Sequence, residues 1–402
     1  MSPHLELLYE LSGRGPFRDS ARIATRANER YKRIALAADS IMENSSRQHR
    51  LSKTLERLSD NQTFFLFRTA AVRVWLDQIA CILSDEKHDP AKWAIAQNAY
   101  DELDKLFEDI GNNLFSEKAE IDSFVAAGFD FQGTLTEPFP YIVNIWCNPE
   151  QELHGQAHWS EAESVRHLFH ELIPSAGAEP CVLRPMSDSQ KSSIESAIQF
   201  FATLCPTIAA DVAVNVRHIC LMDVENWQEI SDNEYRMMGQ SMSRHQLPSS
   251  IFLSLHAFRS ETELRESLYH ETLHRKLGNL LYSESILHPQ YSAAESSRFI
   301  CPWNKAIAWN RNSWSFDRAL DAFHVYVHLH TYYGALIESA AFADKELALA
   351  KRRKAYERAQ QIREWLVGHQ ATHMGVQGMS FLDNMISALE SSRYVDAPEH
   401  AS

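Results

Sequence analysis

Residues Glu261 to Ile286 read ETELRESLYHETLHRKLGNLLYSESI, and within them His270-Glu271-Thr272-Leu273-His274 sets two histidines four positions apart. On a helix that spacing puts both imidazoles on one face. Each can offer one nitrogen to a single metal ion, and the glutamate between them can reach a bound water or a substrate. The flanks predict a helix over 261–284. Glu261, Glu263 and Glu266 place negative charge in its first turns, which suits the positive end of the helix dipole. Leu264, Leu268, Leu273, Leu277, Leu280 and Leu281 form an apolar stripe at helical spacing. Gly278 costs helix propensity and permits close packing. The same five-residue pattern also arises as plain surface histidines in helix-rich proteins, so the remainder of the chain has to separate the two readings.

Working downstream, residues 316–342 predict a second long helix. It carries Asp321, His324 and His328 at i, i+3 and i+7, all on one face, while His330 points elsewhere. A site built on H-E-x-x-H needs a third ligand from another element, and these three residues are the candidates. One histidine in such a helix is more often buried core; three potential ligands on one face argue for more. Between the two helices, Pro302-Trp303-Asn304 and Trp309-Asn310-Arg311-Asn312-Ser313-Trp314 form a loop dense in tryptophan and arginine. Upstream, Ser250–Leu255 (SIFLSL) reads as a short strand leading into the motif helix, and Val212–Met222 as another, from its alternation and β-branched residues. Tyr141–Trp146 reads as the first strand of the chain, after a turn-rich stretch over 128–140.

Residues 1–130 read as helical throughout. Ser20 to Leu58 has apolar residues at three- and four-residue steps, Asn61 to Leu83 is strongly apolar, and Asp89-Pro90 opens a third helix. Ser187-Asp188-Ser189 caps a helix running to Leu204. His167, His170 and Glu171 resemble a second metal motif, but Pro174 stands where its second histidine belongs, so they read as helix-surface residues. Lys351-Arg352-Arg353-Lys354 reads as a solvated helix face, and Gly375 to Gly378 as a turn before a last helix. The whole predicts a mainly α-helical α+β protein. Residues 1–130 form a helical scaffold region, and 131–402 an α+β catalytic region holding the 261–284 helix and the 316–342 helix.

Composition narrows the class. The 402 residues are 45% hydrophobic and 23% charged, as in ordinary globular proteins. No apolar run approaches the ~20 residues needed to span a bilayer, and the N-terminus lacks a signal-peptide pattern. Cytoplasmic residence is therefore expected, with no membrane partner. Six scattered cysteines without a C-x-x-C pair predict reduced, buried thiols. The net charge of −14 argues against nucleic-acid binding.

The order SIFLSL, ESLYHETLHRKLGNLL, CPWN, an arginine-bearing loop, LDAFHVYVHL and then a charged helix resembles the H-E-x-x-H motif-containing peptide-modification proteins, which accompany maturation enzymes of ribosomally made peptides. The resemblance covers roughly residues 215–390. It implies an iron(II)- and 2-oxoglutarate-dependent oxygenase that uses O₂ to hydroxylate a side-chain β-carbon of a precursor peptide. His270 and His274 would be metal ligands. Tyr326-x-His328-Leu329 fits the family pattern and implies His328 as the third, with His324 and Asp321 the alternatives. Glu271 would orient the substrate or its surroundings. The family commonly has Pro-Trp-Arg, whereas Asn304 follows Trp303 here, so the arginine that pairs with 2-oxoglutarate is sought at Arg311 or Arg318. The competing expectation is a zinc peptidase with Glu271 as general base. Against it, residues 316–342 hold no glutamate ahead of Glu338, and Gly278 is one position late for the compact H-E-x-x-H-x-x-G-x-x-H form.

Overall fold

Helices account for most of the described residues. The structure, a computed structural model, describes residues 2–13, 17–41, 50–58, 63, 66–67, 70–83, 89–116, 169, 181–216, 218–224, 241–243, 247, 249–303, 312–339 and 342–394. In chain order the elements are α1 (Pro3–Gly13), α2 (Ser20–Ile41), α3 (Arg50–Arg57), α4 (Ala70–Leu83), α5 (Pro90–Ser116), β1 (Cys181–Arg184), α6 (Asp188–Leu204), α7 (Pro206–Asn215), β2 (His218–Val224), β3 (Ser241–Met242), β4 (Ser250–Ser254), α8 (Glu261–Ser283), β5 (Phe299–Ile300), β6 (Ser313–Trp314), α9 (Phe316–Glu338), α10 (Lys345–His373) and α11 (Val376–Tyr394). The protein is α+β and mainly helical, with a few short strands. No helix among the described residues is long and apolar enough to cross a membrane.

The chain forms two compact units, each assembled from separate segments: 1–23, 196–212 and 260–402 in one, 24–195 and 213–259 in the other. The expected boundary at 130 lies outside the described residues, as do the expected strand 141–146 and the residues His167, His170 and Glu171. The second unit holds a four-stranded sheet in the order β1-β2-β4-β3. Strand β2 runs antiparallel to β1 and parallel to β4, with Ile219 opposite Ile251 and Leu221 opposite Leu253. Every residue of β4 is buried, which is why SIFLSL reads as a continuous run and not as an alternating one. At the N-terminus of α6, Gln190 N–H donates to Ser187 Oγ at 3.3 Å while Ser187 N–H donates to Gln190 Oε1 at 2.8 Å, a reciprocal cap.

The expected strand over Val212–Met222 is two elements. Helix α7 continues to Asn215, and strand β2 begins only at His218. Pro206 at its first position favours the helix, and buried Val212 and Val214 serve its core as well as they would a strand's. The expected continuous helix from Ser20 to Leu58 is described as α2 and α3. The expected turn over 375–378 is also displaced, since Val376 already starts α11. Those two glycines answer to packing. A Cβ on Gly378 would lie 1.9 Å from the Ile286 carbonyl oxygen, and one on Gly375 would lie 2.4 Å from that of Ser285.

The first unit positions the site. Its core gathers Leu277 and Leu280 of α8, Phe316, Leu320 and Phe323 of α9, Ile362 and Leu366 of α10, and Phe381 and Leu382 of α11. Helix α1 is fastened by polar groups. His4 Nδ1 donates to Glu338 Oε1 at 2.6 Å, and its Nε2 meets the Arg352 guanidinium. The ring fits because residue 334 is glycine; a Cβ there would stand 2.4 Å from His4 Cδ2. Deeper in, Lys276 is fully buried and donates to both Asp211 oxygens, at 2.9 and 3.0 Å, while Ser20 donates to the same carboxylate at 2.5 Å. A buried charge needs such complete pairing to be tolerated.

Candidate metal centre

Helix α8 starts where the sequence predicts and ends within one residue of it. Ser260 caps it, accepting from Glu263 N–H at 3.2 Å. Leu264, Leu268, Leu273, Leu277 and Leu280 are all buried. Between Leu264 and Leu280 the half-buried positions are Arg265, Glu266, His270, His274 and Gly278. Four of these five recur at steps of four, so the helix turns one narrow polar seam away from its leucines.

On that seam the two imidazoles converge. His270 Nε2 and His274 Nε2 lie 3.0 Å apart, with ring centroids 4.7 Å apart and planes crossed at 72°. Glu271 is buried, and its Oε1 stands 3.9 Å from His270 Nε2. One ligand atom from each of His270, Glu271 and His274 falls within 4.8 Å of the others, a group able to hold a metal ion. Helix α9 supplies the orientation. His274 Nδ1–H donates to Asp321 Oδ2 at 2.6 Å, which leaves Nε2 facing His270.

The charges of the pair diverge. Burial, and then the neighbouring His274, push His270 below its usual range. Burial pulls His274 down too, but the charge and hydrogen bond of Asp321 outweigh it and the net shift is upward. The donor set fits a divalent cation.

The other expected residues lie as follows. His328 is buried, donates from Nδ1 to the His324 carbonyl at 2.8 Å and packs its ring against Tyr269. Burial, aided by the charge of Lys276, pushes it down to about 3. His324 meets the His328 ring edge to face, with centroids 4.3 Å apart, and is shifted well down by burial. Neither joins the converging group among the described residues. Arg318 lies over the Trp314 ring at 5.2 Å. Arg311 and Asn304 are outside the described residues.

Two features around the seam escape a reading of the sequence. Glu266, one turn before His270, accepts from Tyr333 of α9 and from Lys351 of α10. The basic run 351–354 is therefore only partly the solvated face it was expected to be, for Lys351 is paired and Arg352 is buried beneath His4. The signal for Glu266 was its place four residues ahead of His270; nothing local pointed to its partners. No protein-family model matches the chain, and no curated protein matches it.

Proposed function

We propose that the protein is an iron(II)- and 2-oxoglutarate-dependent oxygenase that hydroxylates a side-chain carbon of a ribosomally made precursor peptide. The observation that carries this reading is the pair of Nε2 atoms 3.0 Å apart beside the Glu271 carboxylate, a group able to hold a divalent ion. The motif order that resembles the H-E-x-x-H peptide-modification proteins supports the same chemistry. His270 and His274 would hold the ion, and Asp321 keeps the His274 proton on Nδ1 so that Nε2 is available. When bound, iron(II) would supply O₂ activation coupled to decarboxylation of the 2-oxo acid. The buried Glu271 side chain stands beside the ligand pair, where it would orient the substrate.

A zinc peptidase is the second reading, and the place of Glu271 favours it: a carboxylate 3.9 Å from a ligand nitrogen is positioned to take a proton from an attacking water. Anaerobic purification followed by metal analysis and turnover separates the two. The oxygenase reading expects iron to be retained, and succinate to form only with iron, O₂ and 2-oxoglutarate all present. Bound zinc, no succinate with any peptide, and O₂-independent peptide cleavage abolished by Glu271→Gln would overturn it.

A further inference from the structure

Residues 284–298 connect α8 to β5, and His373, the last residue of α10, holds that connector at two points. Its carbonyl accepts from His288 N–H at 2.9 Å, beside the bridge between Leu287 and Met374 and the Gly375 N–H that donates to the Ile286 carbonyl at 2.9 Å. Its ring meets the far end of the same stretch. There Ser297 N–H donates to His373 Nε2 at 3.3 Å, and Ser297 Oγ stands 3.1 Å from the same nitrogen. A backbone N–H can only donate, so Nε2 serves as an acceptor and carries a lone pair. The ring is buried, with its centroid 4.9 Å from that of Phe316 and 5.8 Å from that of Tyr291.

The same connector caps α9. Ser315 stands at the N-cap of that helix but makes no side-chain cap hydrogen bond. Phe316 N–H donates instead to Ser296 Oγ at 3.2 Å, and Asp317 N–H to Tyr291 Oη at 3.1 Å. Tyr291 Oη in turn donates to Asp317 Oδ1 at 2.5 Å. First-turn N–H groups have no acceptor within their own helix, so the start of α9 depends on residues 291–297. Asp321, which holds His274, lies one turn further along.

We propose that His373 is an acid-sensitive latch: neutral, it holds residues 285–298 against α9, and protonated, it releases that stretch and with it the cap of α9. An imidazolium has two N–H donors and no lone pair. Ser297 Oγ can turn and accept from it, but the Ser297 amide cannot, and two N–H groups would then face each other. The groups around the ring leave that proton unanswered. Helix α10 brings His369. The connector brings Ser297, Tyr291 and His288, whose ring accepts from Gln290 N–H at 3.2 Å. Helix α9 brings Phe316 and Asp317, whose carboxylate is taken by Tyr291. Burial, and then the charge of His369, hold His373 below its ordinary value of 6.5. A histidine whose folded value is lowered stabilises the closed form fully above that ordinary value. The contribution is lost as pH falls from about 6.5 towards the lowered value.

Hydrogen exchange of the full-length protein, followed peptide by peptide between about pH 7.5 and pH 5, tests the latch, with each rate divided by the intrinsic rate at that pH. Protection over 285–298 and over the first turn of α9 should fall together, by up to about tenfold per pH unit below about pH 6.5, as the uptake of one proton requires. Peptides from the middle of α10 and α11 should keep theirs. In His373→Gln the side-chain oxygen accepts from Ser297 N–H at every pH, so the slope should vanish. In His369→Gln it should remain. Protection independent of pH in the unsubstituted protein, or an equal loss across α8 to α11, overturns the latch without any variant. A slope that survives His373→Gln also overturns it, as does one that disappears in His369→Gln, which would move the titrating group to that residue.

Discussion

The two ring nitrogens of His274 have separate partners, and that division makes the candidate ligand. Nδ1–H is committed to Asp321 at 2.6 Å, so the tautomer and the ring plane are both set before any ion arrives. Replacing the carboxylate by an amide keeps an acceptor but removes its charge, and an asparagine can also present its NH₂ and turn the ring. Asp321→Asn should therefore lower metal affinity by about ten- to a hundredfold, measured by competition with a chelating dye. His270→Ala and His274→Ala should abolish binding outright. Unchanged affinity in Asp321→Asn would mean that the hydrogen bond does no orienting. The histidine pair was legible in the sequence because its spacing is local. Asp321 was legible only as a possible ligand, since its contact with His274 spans 47 residues and depends on how α8 and α9 cross.

Glu266 joins three elements, because Tyr333 of α9 and Lys351 of α10 both donate to a carboxylate on α8. Burial pushes that carboxyl up, but the charge of Lys351 and the two hydrogen bonds push it down harder, and it ends below the ordinary value of 4.5. A carboxyl held lower in the folded state than in the unfolded chain stabilises the fold above its ordinary pKa. That stabilisation is lost as pH falls through the lowered value. Glu266→Gln should reduce the urea midpoint at neutral pH, and the gap from the unsubstituted protein should close below about pH 4. A gap of constant size across that range would show that shape, and not charge, matters at this position. Element identity was largely legible for α8 to α11, where apolar stripes are long. The stretch over 212–222 was not, because buried Val212 and Val214 satisfy a helix face as well as a strand. Nor was the start of α11, where Gly375 and Gly378 are required by close carbonyl oxygens and not by a turn.

At the scale of the whole chain, the unit that holds the candidate metal centre is built from 1–23, 196–212 and 260–402, an arrangement no local pattern encodes. Its segments are tied by long-range polar contacts: His4 with Glu338 and Arg352, and Lys276 with Asp211. All four residues of the site, His270, Glu271, His274 and Asp321, belong to this unit, so a metal that binds only the folded site stabilises this unit in the first instance. At a free concentration a hundred times the dissociation constant, the gain is about 2.7 kcal/mol. Amides that exchange only when the unit opens should then slow about a hundredfold. Hydrogen exchange followed peptide by peptide, with and without iron(II) under anaerobic conditions, should show that slowing across α8 and α9. It should extend to α1 and α10, which the His4 and Glu266 contacts tie to the same pair of helices. Protection that appeared elsewhere while α8 and α9 stayed unchanged would place the metal outside this group.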